Sequence, residues 1–490
     1  MGSVWVLLGL ILCYFCRMNF KEVIEQNDVF NNIRKAVSEL GLEAYVIGGF
    51  VRDLILKRPS KDVDVVCVGS GIELAQKVAD QFTEEVNVHF FKNFGTAQIK
   101  TAEFEIEFVG ARKESYSRDS RKPVVEDGTL EDDQNRRDFT INALAISLKE
   151  ETLGDLVDPF GGIAHLKSKT IITPLAPDET FSDDPLRMMR AIRFAAQLQF
   201  DIDPDTFESI QRNAKRIEIV SAERIAVELN KIILANKPSY GFNLLFQCGL
   251  LAEIFPEMVA LHGVETKDGK SHKDNFYHTL QVLDNISKHT DDLWWRWSAI
   301  LHDIAKPPTK RFHKKAGWTF HGHEDKGARM VPSIFRRMKL PMNENMRFVQ
   351  KMVRLHLRPI ALVKEHVTDS AIRRLLFETG DDIDALMTLC RADITSKNGD
   401  KIKKYLKNFD VVEEKLKKVE EEDKMRNFQP VVTGEMVMLT FGLSPSKEVG
   451  EIKAQVREAI LDGKIKNILP EARDYMIEIG KGLGLELVAE

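Results

Sequence analysis

Residues 44–68 read AYVIGGFVRDLILKRPSKDVDVVCV, and this stretch decides the fold of the first domain. A short apolar run, residues 44–47, ends in Gly48-Gly49, and a segment of helical character begins at Phe50. A second apolar run, residues 63–68, then begins inside Asp62-Val63-Asp64. Short apolar runs bounded by glycine and proline are typical of buried strands. The stretch therefore predicts a strand, a glycine turn, a helix and a second strand.

The glycine turn has the chemistry of a phosphate site. Gly48 and Gly49 let the backbone approach a phosphate closely, and the N–H groups at a helix start favour an anion. Arg52 can add bidentate charge to a triphosphate. A Gly-Gly pair ahead of a helix, taken alone, is equally consistent with an ordinary turn.

The second strand carries a pair of carboxylates. Residues two apart in a strand point to the same face, so Asp62 and Asp64 lie side by side. They repel each other unless cations lie between them, and two bridged Mg²⁺ ions can activate a 3′-hydroxyl and stabilise a leaving pyrophosphate. We expect a third carboxylate from residues 104–109, where Glu105 and Glu107 share a face, and choose Glu107. The alternative is that Asp62 and Asp64 form only a capping and turn pair.

Length and composition set the limits of the whole chain. Its 490 residues suit three or four domains. The net charge is −5, so a nucleic-acid surface must be a local basic face built from the 70 Lys and Arg residues. The five cysteines resemble neither a disulfide framework nor a zinc site, which suits a reducing compartment. We therefore expect a cytoplasmic protein.

The first residues differ from the rest. Residues 4–16 are nearly all apolar, but they are too short to span a bilayer and lack the features of a signal peptide. We expect Met18 to be the natural start and the leader, residues 1–18, to lie outside the fold. The alternative is a weak membrane anchor.

Beyond the leader, hydrophobic periodicity predicts a mixed head followed by helices. One amphipathic helix is expected over residues 19–40 and another over 72–82. Strands are expected at 44–47, 63–68, 86–91, 97–101 and 104–109. From about Glu179 onward almost everything has helical character, and the charged segment 401–425 has one apolar stripe suited to packing.

Two further segments combine basic and acidic side chains. In residues 135–143, Arg137, Asp138 and Asn142 can meet phosphate and sugar, although a salt-bridged helix start would look similar. In residues 183–194, Asp184 precedes Pro185, so it can also be a simple N-cap. Arg187, Arg190 and Arg193 recur every three residues and lie roughly along one helix face.

These motifs resemble one known family. Gly48-Gly49-x-Val51-Arg52-Asp53 followed by Asp62-x-Asp64 is similar to the signature of the class II tRNA nucleotidyltransferases and bacterial poly(A) polymerases. Residues 135–143 look like the family motif that holds ribose and triphosphate, residues 183–194 like its base-selecting motif, and residues 223–225 like a further helix motif. The resemblance implies that Asp184 and Arg187 read the base of CTP or ATP, with tRNA as partner and two Mg²⁺ ions in the head.

Residues 261–400 suggest a second centre. Tyr277-His278, Leu301-His302-Asp303 and Ala392-Asp393 resemble the HD phosphohydrolase family. The set His278, His302, Asp303 and Asp393 offers nitrogen and oxygen ligands suited to Mn²⁺, Fe²⁺, Ni²⁺ or Mg²⁺. His321, His323 and His356 are candidates for a second ion. The alternative is a helical spacer whose polar cluster is merely hydrogen-bonded.

The resemblance implies an α+β protein with a polymerase-β-like head. We expect the head at residues 19–160, a helical neck at 161–260, an HD domain at 261–400 and a tRNA-binding helical tail at 401–490. The expected reaction is addition of CCA to tRNA from CTP and ATP, with no protein partner and no membrane unless the leader is real. One alternative is a poly(A) polymerase, and another is a non-catalytic RNA-binding or nucleotide-sensing protein.

Overall fold

The computed structural model describes residues 19–84, 86–91, 95–117, 120–364, 368–395, 398–423, 425–426 and 428–488, and of residues 114–125 and 363–364 only the backbone. The apolar leader with Cys13, Cys16 and Met18 lies outside the described residues. Within the described ranges, no helix is long and apolar enough to cross a membrane. Cys67, Cys248 and Cys390 are buried free thiols.

The chain divides into two compact units. Of the described residues, the first contains those between 19 and 235 and between 240 and 254, and the second those between 236 and 239 and between 255 and 488. The boundary near residue 255 lies close to the predicted junction between neck and HD domain.

The strands of the first unit are β1 Glu43–Ile47, β2 Asp62–Val68, β3 Val88–Phe91, β4 Thr96–Lys100, β5 Glu105–Gly110, β6 Arg112–Ser117, β7 Ser120–Asp127, β8 Ala145–Ser147, β9 Leu156–Val157, β10 Thr170–Ile171 and β11 Asp201–Ile202. Seven of them form one sheet with the order β3-β4-β5-β2-β1-β8-β9. Strands β6 and β7 form a separate hairpin.

Strand β2 lies inside the sheet, and from Val65 onward its sequence is apolar on both faces. Val63, Val65 and Val66 are fully buried, as expected for a strand with neighbours on both sides. The pair β2–β5 is parallel, so the chain must cross over, and the helix Gly71–Ala79 makes that connection. A Cβ on Gly71 would lie 2.8 Å from the backbone of Val109, so only glycine allows this close packing of helix on sheet.

Helices cover the sheet and form the neck of the first unit. The predicted helix over residues 19–40 is in fact two, because the side chain of Asn27 accepts the N–H of Val29 and starts a new helix. The helices are Lys21–Glu25, Asp28–Leu40, Gly49–Ile55, Gly71–Ala79, Leu130–Asn135, Gly162–Ser168, Pro177–Asp183, Leu186–Leu198, Pro204–Asn213, Ala222–Ile233, Pro238–Gln247 and Leu250–Ile254, with 3₁₀ turns Thr140–Asn142, Glu150–Thr152 and Ala214–Ile219.

The second unit is mostly helical, with two small hairpins that the sequence pattern did not predict. These are β12–β13, Thr266–Lys267 with Lys270–Ser271, and β14–β15, Arg311–His313 with Gly317–Thr319. The helices are Pro256–Val259, Asn275–Ile286, Leu293–Leu301, Lys306–Thr309, His323–Arg337, Glu344–Leu355, Leu357–Lys364, Asp369–Thr379, Ile383–Asp393, Gly399–Asp423, Gly434–Phe441, Lys447–Leu461 and Leu469–Gly482, with a 3₁₀ turn Gly380–Asp382.

The long helix Gly399–Asp423 buries the later part of the apolar stripe expected from its sequence. Phe409, Val412, Leu416 and Val419 are buried, whereas Ile402 is half-buried and Tyr405 is exposed. Its acidic residues also hold it to the preceding helices: Arg391 pairs with Asp410 and Glu413 at 2.7 and 2.9 Å. An α/β head followed by helices is the predicted fold class, and it is confirmed.

Candidate functional sites

The two predicted aspartates and the third carboxylate meet across strands β2 and β5. The parallel register sets Asp62 beside Glu105 and Asp64 beside Glu107. On the other side of β2, Ile47 at the end of β1 lies opposite Asp64. Because Gly48 follows Ile47, the glycine turn and the carboxylates share one edge of the sheet.

Asp64 is in an environment that disfavours its charged form. Burial raises the pKa of its carboxyl, Glu107 and Asp62 raise it further, and Arg137 opposes them. A buried carboxylate among like charges is stabilised by a bound cation. The donor set of Asp62, Asp64 and Glu107, all oxygens, is the kind that Mg²⁺ prefers.

Gly48 is required by both backbone conformation and space. Its φ is +85°, and a Cβ there would lie 2.8 Å from Nη1 of Arg137 and 3.2 Å from Oδ2 of Asp64. A side chain would therefore be strained and would displace the two charged groups. Gly49 then begins the helix Gly49–Ile55.

A buried polar network connects the glycine-turn helix to the predicted ribose and triphosphate motif. Nη1 of Arg52 donates to Oδ1 of Asn142 at 2.7 Å, and Nδ2 of Asn142 donates to Oδ1 of Asp138 at 3.0 Å. Nε of Arg190 donates to Oδ2 of Asp138 at 2.7 Å. Burial alone would raise the pKa of Asp138, but Arg190 and the hydrogen bond from Asn142 hold it at about 2.

Arg52 is already engaged within the protein. It is buried, and its Nε and Nη2 donate to both carboxylate oxygens of Asp53 at 3.0 and 2.7 Å. The guanidinium of Arg52, predicted to contact a triphosphate, is thus bonded to the adjacent Asp53. Its contact with phosphate stays a prediction.

Two buried acids of the first unit were missed by sequence reasoning. Asp133 is fully buried and pairs with Arg136 and with Nε of Arg137, the latter at 3.1 Å. Glu228 is buried 2.7 Å from Nε of Arg193. The available signals were an acid four residues before an arginine, and an acid within the apolar helix Ala222–Ile233.

The predicted base-selecting residues lie at the start of the helix Leu186–Leu198. Oδ1 of Asp184 accepts the N–H of Leu186 at 3.1 Å, as the capping alternative expects, while Oδ2 lies 3.6 Å from Arg224. Arg187 donates to the carbonyl oxygens of Arg136 and Thr180. It therefore connects this helix to residues 135–143, the predicted ribose and triphosphate motif.

In the second unit, Asp303 lies at the centre of a histidine cluster. Its Oδ2 is 3.5 Å from Nε2 of His278 and 3.2 Å from Nε2 of His302. Its Oδ1 is 3.2 Å from Nε2 of His323 and 3.9 Å from Nε2 of His356. Each oxygen of Asp303 thus faces a separate pair of histidines. Asp303 with either pair forms a group whose ligand atoms are close enough together to hold one metal ion.

The other predicted ligands divide between the cluster and the surface. Asp393 joins the cluster, with Oδ1 2.9 Å from Nε2 of His278. His321 is exposed, unlike His323, which is buried. His302 and Asp303 follow the helix Leu293–Leu301 directly and lie in the turn at its end.

Each histidine of the cluster is oriented through its other ring nitrogen. Nδ1 of His302, His323 and His356 donates to the carbonyl oxygens of Ala299, Phe320 and Val353, at 2.7, 2.8 and 2.7 Å. Nδ1 of His278 is bonded to the hydroxyl of Thr395 at 2.8 Å. Such bonds fix the tautomer in which Nε2 is a metal ligand.

The electrostatics of the cluster favour a cation. Burial lowers the pKa of His302, but Asp303 and Asp393 outweigh it and raise it to about 10. Burial lowers the pKa of His356 to about 4, and the positive charge of His302 acts in the same direction. Among the described residues, buried Nε2 of His302 and Oδ2 of Asp303 have no partner in hydrogen-bonding geometry, although Nζ of Lys306 lies 2.5 Å from the latter. These donors fit a divalent metal ion.

Three domain profiles match the chain in the order that the sites lie along it. The Poly A polymerase head domain matches residues 44–172, and "Probable RNA and SrmB- binding site of polymerase A" matches residues 199–261. The HD domain matches residues 275–398. A polymerase-type head with paired carboxylates defines the class: the chain is a nucleotidyltransferase.

Known relatives give the family. The Multifunctional CCA protein of Nitrosococcus oceani is 31% identical over 375 residues, which span 73% of this chain and 86% of that one. The A-adding tRNA nucleotidyltransferase of Aquifex aeolicus is 43% identical over 194 residues, 40% of this chain but only 23% of that relative. The solved CCA-adding enzyme of Bacillus stearothermophilus in complex with CTP has a TM-score of 0.65 at 22% identity, covering 96% of this chain and 99% of that one. This chain belongs to the tRNA nucleotidyltransferase family of CCA-adding enzymes, as its sequence motifs predicted.

Proposed function

We propose that this protein adds C, C and A to the 3′ ends of tRNA, using CTP and ATP and releasing pyrophosphate. The observation that carries the proposal is the placement of Asp62, Asp64 and Glu107 on adjacent parallel strands beside the Gly48 turn. Relatives named for CCA addition support it.

The carboxylates would hold two Mg²⁺ ions, which supply Lewis-acid stabilisation of the attacking and leaving oxygens. Residues of the protein itself would position the triphosphate and the nucleotide. Gly48 leaves room beside Asp64 for a phosphate oxygen, and Arg137 next to it carries the nearest positive charge. The ion pair between Asp138 and Arg190 connects the ribose and triphosphate motif to the helix that begins beside Asp184.

Base selection is proposed for Asp184 and Arg187. Both lie at one helix start, and a carboxylate with a guanidinium offers acceptors and donors for the Watson–Crick edge of cytosine or adenine. The helix Gly399–Asp423, with exposed Lys403, Lys404 and Lys407, is proposed to contact the tRNA backbone.

Addition of A alone is the second candidate, because the relative that is 43% identical over 194 residues is named for it. The two are separated by incubating the protein with tRNA that lacks CCA or ends in CC, with each labelled nucleotide singly and with CTP and ATP together. Incorporation of CMP into the first substrate supports CCA addition. Incorporation of AMP alone, into the CC-ended substrate only, supports A addition, and repeated AMP on any RNA supports a poly(A) polymerase.

We further propose that the histidine cluster is a metal-dependent phosphohydrolase. Its ligands would be His278, His302, Asp303 and Asp393, with His323 and His356 on the far oxygen of Asp303 as a second set. Mn²⁺, Ni²⁺ or Mg²⁺ bound there would polarise a phosphate and activate water. The expected substrates are phosphomonoesters and 2′,3′-cyclic phosphates, which are damaged forms of an RNA 3′ end.

In the cyclic phosphate, the oxygen of water forms a bond to phosphorus as one P–O bond of the ring breaks, and the released ribose oxygen takes a proton. The test is hydrolysis of a 2′,3′-cyclic nucleotide with each metal, comparing wild type with His302→Ala and Asp303→Ala. Metal-dependent hydrolysis that both variants lose supports the proposal. An inactive wild type, or equal rates in all three proteins, contradicts it.

A further inference from the structure

Two hairpins beside the histidine cluster form one surface, which we call the hairpin platform and define as residues 264–273 and 306–321. Nε1 of Trp318 donates to the carbonyl oxygen of Lys270 at 3.1 Å. Nζ of Lys270 in turn donates to the carbonyl oxygens of Lys314 and Lys315 at 3.0 and 2.6 Å. The two hairpins are thereby fixed to each other and present a single face.

The hairpin platform has the opposite charge to the chain as a whole. Its two segments contain eight Lys and Arg residues but only two carboxylates, Glu265 and Asp268, so its net charge is +6 where the whole chain has −5. Lys267, Arg311, Lys314 and Lys315 are exposed. A local concentration of positive charge on an acidic protein indicates a polyanionic ligand.

Aromatic rings lie among these cations. Phe312 and Trp318 are half-buried, with ring centroids 5.1 Å apart. Nζ of Lys310 lies 4.6 Å from the ring centroid of Trp318, and Nζ of Lys267 lies 5.1 Å from that of Phe312. Interleaved cations and partly exposed rings are the combination that binds single-stranded nucleic acid, through backbone charge and base stacking.

The hairpin platform is joined directly to the histidine cluster. Nζ of Lys306 lies 2.5 Å from Oδ2 of Asp303. Nζ of Lys273 donates to the carbonyl oxygen of Thr395, whose hydroxyl is bonded to His278. A single strand of nucleic acid bound along the hairpin platform would therefore have one end next to the histidine cluster.

We propose that the hairpin platform binds the single-stranded 3′ end of an RNA and presents its terminal phosphate to the histidine cluster. The fate of that phosphate rests on the proposed hydrolase activity, whereas the binding itself does not. The platform makes the substrate a polynucleotide, rather than a free nucleotide, because cations such as Lys314 and Lys315 contact phosphates beyond the terminal one.

The binding test uses the full chain and a fluorescently labelled 12-nucleotide single-stranded RNA with a 2′,3′-cyclic phosphate end. Fluorescence anisotropy gives Kd as a function of salt for wild type and for Lys314→Ala with Lys315→Ala. The matched control removes the same charge from exposed positions of the second unit outside the platform, Lys288→Ala with Arg336→Ala. We expect the platform variant to raise Kd severalfold and to reduce the salt slope by about 1.4, since each single-strand phosphate contact contributes about 0.7.

The hydrolysis test compares the same RNA with a mononucleotide 2′,3′-cyclic phosphate. The platform variant should raise KM for the RNA and leave hydrolysis of the mononucleotide unchanged. If wild type hydrolyses neither substrate, the proposed hydrolase activity is wrong. The anisotropy measurement would still test whether the hairpin platform binds RNA. The proposal would be overturned if Kd is unchanged in the platform variant, or if Kd rises equally in the control variant. It would also be overturned if the protein binds anionic lipid vesicles through these lysines and does not bind RNA.

Discussion

Asp64 on β2 and Glu107 on β5 are paired in parallel register, so two carboxylates from segments more than forty residues apart lie side by side. Since Asp62 lies two residues earlier on the same face and is paired with Glu105, four acids lie together at one edge of the sheet. Such a group is unfavourable without cations, which is why we assign it to metal-assisted catalysis and derive the following predictions.

Asp64→Asn should reduce nucleotide incorporation by two or more orders of magnitude, on the order of the cost of removing one charge that stabilises a transition state. Burial, Glu107 and Asp62 all raise the pKa of Asp64, so loss of its charge should not lower Tm. Single-turnover incorporation of labelled CMP and a thermal melt measure both. Near-normal incorporation would remove Asp64 from the catalytic set.

Glu107→Gln should abolish incorporation, whereas Glu105→Gln should not. Glu107 is beside half-buried Asp64, while Glu105 is beside exposed Asp62 and forms an ion pair with Lys100. The two variants change the same chemical group on the same strand, so each is the control for the other. Loss of activity in Glu105→Gln alone would reassign the third carboxylate.

Asp184→Asn separates base selection from helix capping. Asparagine caps a helix about as well as aspartate, whereas alanine costs about 1 kcal/mol. We therefore expect Asp184→Asn to keep the Tm of wild type but to lose the preference for CTP and ATP over UTP and GTP. Asp184→Ala should lose the same preference and also have a lower Tm. Competition between the four nucleotides gives the preference. Unchanged selection in both variants would leave Asp184 as a cap alone.

His323→Ala should weaken metal binding, and His321→Ala should not. Nε2 of His323 lies 3.2 Å from Oδ1 of Asp303, whereas His321 is exposed. The number of bound Mn²⁺ or Ni²⁺ ions, measured by calorimetry, should fall in the first variant only. CCA addition should persist in both variants, because the cluster is proposed to act on a different reaction. Equal metal binding by His323→Ala and wild type would exclude this histidine as a ligand.

Replacing Lys403, Lys404 and Lys407 by alanine should raise KM for tRNA and leave KM for CTP unchanged. These side chains are exposed on the helix Gly399–Asp423, and phosphate contacts weaken with salt. The difference from wild type should therefore shrink as salt rises. An equal effect on both substrates at unchanged Tm would place the tRNA contact elsewhere.

The sequence by itself determined the family, the strand that carries Asp62 and Asp64, and the glycine turn. Each depends on neighbours in the chain, because a period of two residues sets the face of a strand and adjacent glycines set a turn. Tertiary structure decided what lies far apart in sequence. The register of β2 and β5 sets Glu107, rather than Glu105, beside Asp64, and packing buries Asp133 and Glu228 against arginines. The hairpins β12–β13 and β14–β15 were not predicted from the sequence, because strands of two or three residues are too short to show an alternation of apolar and polar residues. The sequence offered His321, His323 and His356 as candidates for a second ion, and only the packing of separate helices decided that His323 and His356 reach Asp303 while His321 stays exposed.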